Sequence, residues 1–275
     1  MGLDHIRIVL VEPAGPLNVG AIARVMKNFG LRQLVLVNPQ CDPLGAEARM
    51  LAVHAADLLE SAVQVDTLSA ALAGCQRAIA TTGRDRTTLP IHLEPPRDCL
   101  PWLKAPLPDG TLPAAALIFG REDSGLTNAE LNLAQRFLQV PTSNDYASMN
   151  LAQAIAVCCY ELAISEESGV RGQGLGSDGV LECWSNRYPN TPTPQHPVTA
   201  SPASLDSLEG YFNQLEALLL DIGYLHPHTA ASRMEKFRRL FLRTQLSEPE
   251  VAMLRGVLSQ MKWAMGRGGS EGVRE

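Results

Sequence analysis

Aromatic side chains make up only 5% of this 275-residue chain, and its 23 lysines and arginines are outnumbered by 29 aspartates and glutamates. No apolar run approaches the roughly 20 residues that a membrane-spanning helix needs. The first scarcity leaves the core to aliphatic side chains. The second, a net charge of −6, excludes a uniformly basic nucleic-acid binder, so any contact with nucleic acid has to be local. The missing apolar run leaves no membrane partner. The opening MGLDHIRIVLVEPAG places Asp4, His5 and Arg7 before or within its short apolar run, unlike a secretory signal, so a soluble cytoplasmic protein is expected.

Other absences narrow the chemistry. None of the six cysteines forms a C-x-x-C pair, and Cys158 and Cys159 lie side by side in an apolar run, which suits small core residues in a reducing cytosol. Only His226 and His228 are close among the histidines, and Pro227 between them argues for a loop, so no metal is expected. There is no G-x-x-x-x-G-K-[ST], no G-x-S-x-G, no H-E-x-x-H, and no G-x-G-x-x-G between a strand and a helix. Phosphate-cradling NTPases, serine hydrolases, zinc proteases and nicotinamide dehydrogenases all lose their signature. The glycines at 172, 174 and 176 mimic part of a dinucleotide fingerprint but have no strand before them.

What is present is an alternation of short apolar runs with longer amphipathic ones from residue 6 to about 165, the pattern of an α/β domain with a buried parallel sheet. Strands are expected at 6–12, 33–38, 62–66, 77–82, 115–120 and 137–141. Asn18 is expected to cap a helix that Gly30 ends, with Val19, Ile22, Val25, Met26 and Phe29 on one face and Arg24 on the other. Thr127 to Glu130 reads as a capping box, and Ser148 or Asn150 precedes the run LAQAIAVCCYELAI. Residues 166–207, rich in Gly, Ser, Thr and Pro, read as a flexible linker. Residues 208–275 read as a small helical C-terminal extension, with helices at 208–225, 232–246 and 248–265. Residues 1–165 carry 12 basic and 16 acidic side chains, whereas the middle helix of the extension sets Arg233, Lys236, Arg238, Arg239 and Arg243 against Glu235 alone.

In an open parallel sheet, ligands bind at the carboxyl ends of the strands. The unusual residues fall there: Asn18 to Gly20 with Arg24, Thr81 to Arg86, Phe119 to Glu122, and Val140-Pro141 leading to Ser148-Met149-Asn150. Taken singly each has a structural explanation, as cap, turn or strand stop. On these residues alone the reading stops at a small-ligand α/β enzyme.

The segments NVGAIARVMKNFGL (18–31), LIFGREDSGLTNAEL (117–131) and VPTSNDYASMNLAQAIAVCCYEL (140–162) resemble the three motifs of the SPOUT superfamily of RNA methyltransferases, in its SpoU-like 2′-O-ribose branch. GYLHP (223–227) and residues 233–261 are similar to the C-terminal extension of those members that methylate the ribose at position 32 of the tRNA anticodon loop. The resemblance implies a Rossmann-like sheet with a C-terminal trefoil knot, a homodimer, S-adenosyl-L-methionine as cofactor and tRNA as partner. It implies a cofactor pocket of Thr81, Thr82, Gly83, Gly120, Val140, Ala147, Ser148 and Met149. It implies catalytic roles for Arg24, Asn18, Glu122, Ser148 and Asn150, and RNA-binding roles for Arg84 and Arg86 beside the pocket and for the basic helix 233–243. Met149 stands where leucine is common, Gly83 where alanine often sits and Ala147 where a second serine can occur, all tolerable for backbone contacts. Because a guanidinium stays charged and carries no acceptor, a stabilising role at the ribose oxygen suits Arg24 better than that of a base. Two other readings are an enzyme of the same superfamily acting on rRNA or another tRNA position, and an inactive RNA-binding homologue.

Overall fold

The structure, a computed structural model, describes residues 2–83, 91–143, 148–164, 201–242 and 244–268, with the side chains of 266–268 also left aside. Seven parallel strands form one sheet: β1 (Ile6–Val11), β2 (Gln33–Val37), β3 (Val63–Val65), β4 (Arg77–Thr81), β5 (Leu93–Glu94), β6 (Ala115–Phe119) and β7 (Arg136–Leu138). Their spatial order is β3-β2-β1-β6-β4-β7-β5. The six strands read from apolar runs are present, with β3 and β7 shorter than expected. β5 was not anticipated: it is two residues long in a proline-rich stretch and is held by β7 and by Arg136, whose Nε donates to Glu94 Oε1 at 2.8 Å.

The period-two alternation of the strands sends their side chains into two separate cores. Ile6, Ile8, Leu10, Leu34, Leu36, Ile79, Leu117 and Phe119 face one side, with the helices α1 (Pro16–Asn28), α2 (Ala46–Ala52) and α3 (Ala56–Glu60). Val9, Val11, Val35, Val37, Ala78, Ala80 and Ile118 face the other, above α4 (Leu68–Ala71). The short α5 (Pro96–Cys99) and α6 (Pro101–Lys104) complete the first layer, together with α8 (Leu151–Ile164), which follows α7 (Asn128–Leu131). Cys158 and Cys159 are fully buried in α8, as expected of small core residues.

α4 and α7, four residues each, are too short to cover the second face. Its cover comes from α9 (Leu205–Asp221), α10 (Ala230–Leu242) and α11 (Glu248–Gly268). Leu205, Leu208, Tyr211, Phe212, Leu215 and Met234 are buried in one cluster with the sheet valines. At about 1.5–3 kcal/mol for each large apolar side chain buried, this is a shared core and not a loosely attached appendage. The first helix of the extension starts at Leu205, three residues before the boundary read from composition, because the Ser204 hydroxyl caps it and Asp206 accepts from Gly74 N at 2.9 Å. The glycines at 172 to 176 and the rest of 165–200 lie outside the described residues.

The direction of these helices fixes what meets the sheet edges. Leu205 N donates to Cys75 O, just before β4, so α9 starts at the amino edge of the strands and runs toward their carboxyl edge. α10 returns: Ala231, Met234 and Glu235 face Val11, Glu12 and Val37, while Thr244, beyond its end, faces Arg77 at the start of β4. The turn between α9 and α10 is therefore at the carboxyl edge.

Candidate active site

A cleft of about 270 Å³ opens at the carboxyl ends of β4, β6 and β7. Thr81, Thr82 and Gly83 leave β4, Phe119 to Gly125 form the turn after β6, Leu138, Val140 and Thr142 follow β7, and Ser148, Met149, Leu151 and Ala154 open α8. Seven of the eight residues expected to hold the cofactor thus line one cavity, and Ala147 lies outside the described residues. Phe119, Leu138, Val140, Met149 and Leu151 give the cleft an apolar wall beside the hydroxyls of Thr81, Thr82, Thr142 and Ser148. Thr81 Oγ1 is committed to Ile118 O at 2.9 Å and fixes the end of β4 against β6.

Gly120 has a sharper reason to be glycine than a permissive turn. A Cβ there would stand 2.3 Å from Gly125 C and 2.4 Å from Leu126 N, because the loop after β6 folds straight back on itself. The return is fixed by Arg121, which lines the cleft and donates through Nε to Glu12 Oε2 at 2.7 Å and through both Nη atoms to Glu130 at 3.0 Å. These contacts raise the pKa of the Arg121 guanidinium, first through Glu12 and then Glu130, and its hydrogen bond holds the Glu12 carboxyl below the ordinary range. For Glu130, burial pushes its carboxyl up, but the bonds from Arg121 and Thr127 prevail and leave it low. The Thr127–Glu130 capping box read from sequence is present, and Glu130 serves both it and Arg121. Sequence reasoning named Arg121 only as part of the strand-end stretch 119–122 and gave it no role, because its partners are 109 and 9 residues away.

Glu122, Asn18 and Asn150 form one hydrogen-bonded chain. Glu122 accepts from Ala14 N at 3.2 Å, Gly15 N at 3.1 Å and Asn18 Nδ2 at 3.2 Å, while Asn150 Nδ2 donates to Asn18 Oδ1 at 3.1 Å. Asn150 Oδ1 accepts from Ala152 N and Gln153 N, which decides between Ser148 and Asn150 as the cap of α8. Asn18 is not the cap expected of it. α1 begins at Pro16 with Gly15 as N-cap, since proline fits the first helical position, and the Asn18 side chain is spent on Glu122 and Asn150. The three residues lace the starts of α1 and α8 to the cleft loop.

Arg24 stands exposed on α1, two turns beyond Asn18, outside the residues that line the cleft; among the described residues its guanidinium has no hydrogen-bond or ion-pair partner. The basic helix divides. Arg233 and Lys236 are exposed, whereas Arg238 is tied to Glu209, with Nη2 to Oε1 at 2.8 Å, and its guanidinium lies 4.8 Å over the Phe212 ring. Arg239 Nε donates to Asn132 Oδ1 at 3.1 Å, so both arginines fasten α10 to its neighbours. Arg84, Arg86 and Arg243 lie outside the described residues. Among the described residues no group of three or more His, Cys, Asp or Glu is placed to hold a metal ion.

Residues 5–160 match the SpoU rRNA methylase family. The chain belongs to that family. This SpoU methylase carries, at residues 206–270, a match to the C-terminal domain of the tRNA methyltransferase TrmJ. It is 40% identical over 262 residues to the tRNA (cytidine/uridine/adenosine-2′-O-)-methyltransferase TrmJ of Pseudomonas aeruginosa, covering 94% of both chains. To the tRNA (cytidine/uridine-2′-O-)-methyltransferase TrmJ of Cronobacter sakazakii it is 38% identical, over 94% of this chain and 97% of that one. The crystal structure of TrmJ from Z. mobilis ZM4 superposes with a TM-score of 0.74 at 27% identity, over 93% of this chain and 98% of that one. Of the three motif segments, 117–131 and 140–162 line the cleft, and 18–31 joins them through the hydrogen bonds of Asn18 to Glu122 and Asn150.

Proposed function

We propose that this SpoU methylase is an S-adenosyl-L-methionine-dependent tRNA 2′-O-ribose methyltransferase acting on nucleotide 32, cytidine and/or uridine, of the anticodon loop. The carrying observation is the TrmJ-type C-terminal domain at 206–270 sharing a core with the sheet whose carboxyl edge holds the cleft. In this reading the protein is a cytoplasmic homodimer with a trefoil knot. Leu17 and Tyr160, exposed at opposite ends of the α1–α8 pair, offer apolar surface for a second copy.

The cleft suits the cofactor: an apolar wall for a heterocycle, hydroxyls and bare main chain at Gly83 and Gly120 for polar atoms. Thr81, Thr82, Gly83, Gly120, Val140, Ala147, Ser148 and Met149 would hold it. When bound, S-adenosyl-L-methionine supplies an activated methyl group. The ribose 2′-oxygen must be brought into line with that methyl, so that the new O–C bond would form as the methyl's S–C bond breaks with its electron pair left on sulfur, the hydroxyl proton leaving to solvent. Arg24, with its cation unengaged, stabilises the charge that develops on this oxygen and holds a neighbouring phosphate. Glu122, Asn18 and Asn150 fix the cleft loop and the starts of α1 and α8, and Ser148 lines the cleft beside them. Arg84, Arg86, Arg233 and Lys236 meet the RNA.

The family description names rRNA, which keeps a ribosomal substrate as the second reading. Incubation with labelled S-adenosyl-L-methionine and, in parallel, unmodified tRNA or ribosomal RNA separates them. Label in tRNA alone is expected; label in ribosomal RNA alone discards the tRNA assignment.

A further inference from the structure

The α9–α10 turn carries an unusual surface for a chain so poor in aromatics. Tyr224 is 52% exposed, and His226 and His228 are both exposed with their rings parallel within 5° and centroids 5.8 Å apart. The Arg233 guanidinium lies 5.7 Å over the Tyr224 ring and donates to Tyr224 O at 3.1 Å. One turn on, Lys236 is exposed and among the described residues has no partner. The rings and the two cations all face outward, while Leu225, Ala230 and Met234 of the same segment anchor it in the core.

Position gives the surface meaning. α9 runs toward the carboxyl edge of the sheet and α10 runs away from it, so the turn is at the edge where the cleft opens. A contact path joins the cleft to the start of α10: Arg121 lines the cleft and pairs with Glu12, and Glu12 lines a cavity shared with Ala231, Met234 and Glu235. We infer that Tyr224, His226 and His228, with Arg233 and Lys236, form a binding platform for unpaired nucleotides of the RNA substrate, bases stacking on the rings and phosphates meeting the two cations. Base–aromatic stacking with nearby cations is how proteins take single-stranded RNA, and paired bases do not offer their faces. The negative net charge demands a local basic contact, and Arg238 and Arg239 are already engaged. This inference rests on the proposed function for the identity of the RNA.

The test uses the full chain, unmodified tRNA, and a short unstructured oligoribonucleotide against a duplex of equal length as competitors. Tyr224→Ala and the double variant His226→Ala/His228→Ala are each expected to weaken tRNA binding and raise KM by about 5- to 100-fold. kcat at saturating tRNA, S-adenosyl-L-methionine affinity and the unfolding midpoint are expected to hold, and Tyr224→Phe to restore binding. Arg233→Gln with Lys236→Gln should flatten the dependence of log affinity on log salt by about 1–2. Unchanged tRNA affinity and KM in both ring variants, or equal competition by duplex and single strand, overturns the platform. Should the wild type bind but not methylate tRNA, the functional assignment falls, and loss or retention of oligonucleotide binding in the ring variants still decides the platform.

Discussion

At the scale of single residues, the cleft depends on groups that sequence reading put at strand ends but explained only in part. Gly120 was legible as a strand-end glycine; that its own loop returns to 2.3 Å was not, because the contact is fixed by Arg121 reaching Glu12 across 109 residues. Gly120→Ala is expected to cost about 1–3 kcal/mol, as overpacking does, and to weaken cofactor binding; calorimetry with S-adenosyl-L-methionine and a thermal melt read both. A variant with wild-type melting and binding would show that the loop has room. Gly20 is a parallel case, since a Cβ would stand 2.0 Å from Ala48 O, which no local pattern announces. Arg24 differs in kind because nothing in the described chain engages it. Arg24→Ala is expected to reduce methyl transfer by about 10²–10³-fold with cofactor affinity intact, the loss typical of removing a donor to developing charge. Equal loss of cofactor affinity would place it in the pocket instead.

At the scale of elements, periodicity and capping chemistry were legible, and long-range anchoring was not. The alternating strands and the Thr127–Glu130 box follow from local sequence, and so does the helix end at Gly223, where φ is +73°. The cap of α1 did not, because Pro16 at the first helical position outweighs Asn18, whose partners are 104 and 132 residues away. The basic helix α10 read as one RNA-facing stripe, yet two of its cations hold the layer together. Arg238→Ala is therefore expected to lower the unfolding midpoint, whereas Lys236→Ala is expected to leave it unchanged within error. A double-mutant cycle with Glu209→Ala should show a coupling of about 0.5–3 kcal/mol, as for partners in one network. Additivity would mean that the pair does not fasten α10 to α9.

For the whole molecule, the two-faced sheet with a separate core on each side explains how a chain with so few aromatics stays packed, and why the extension belongs to the fold. Its buried thiols give a pH signature. Burial raises Cys75 to about 11 and Cys99 and Cys159 to about 12, and raises Cys158 as well. A raised folded-state pKa means that the neutral thiol stabilises the fold fully below the unfolded value near 8.5, and that this contribution is lost as pH climbs toward 11 and 12. Urea unfolding midpoints should accordingly fall between about pH 8.5 and 11, and brief alkylation near pH 8 should spare these four thiols. Rapid labelling of any of them in the native protein would contradict the packing described for both faces.

Mass spectrometric mapping of unmodified tRNA after incubation with the protein and S-adenosyl-L-methionine locates the methyl group. A single methyl on the ribose of nucleotide 32 is expected. A methyl on a base, or on the ribose of another position, would overturn the proposed function.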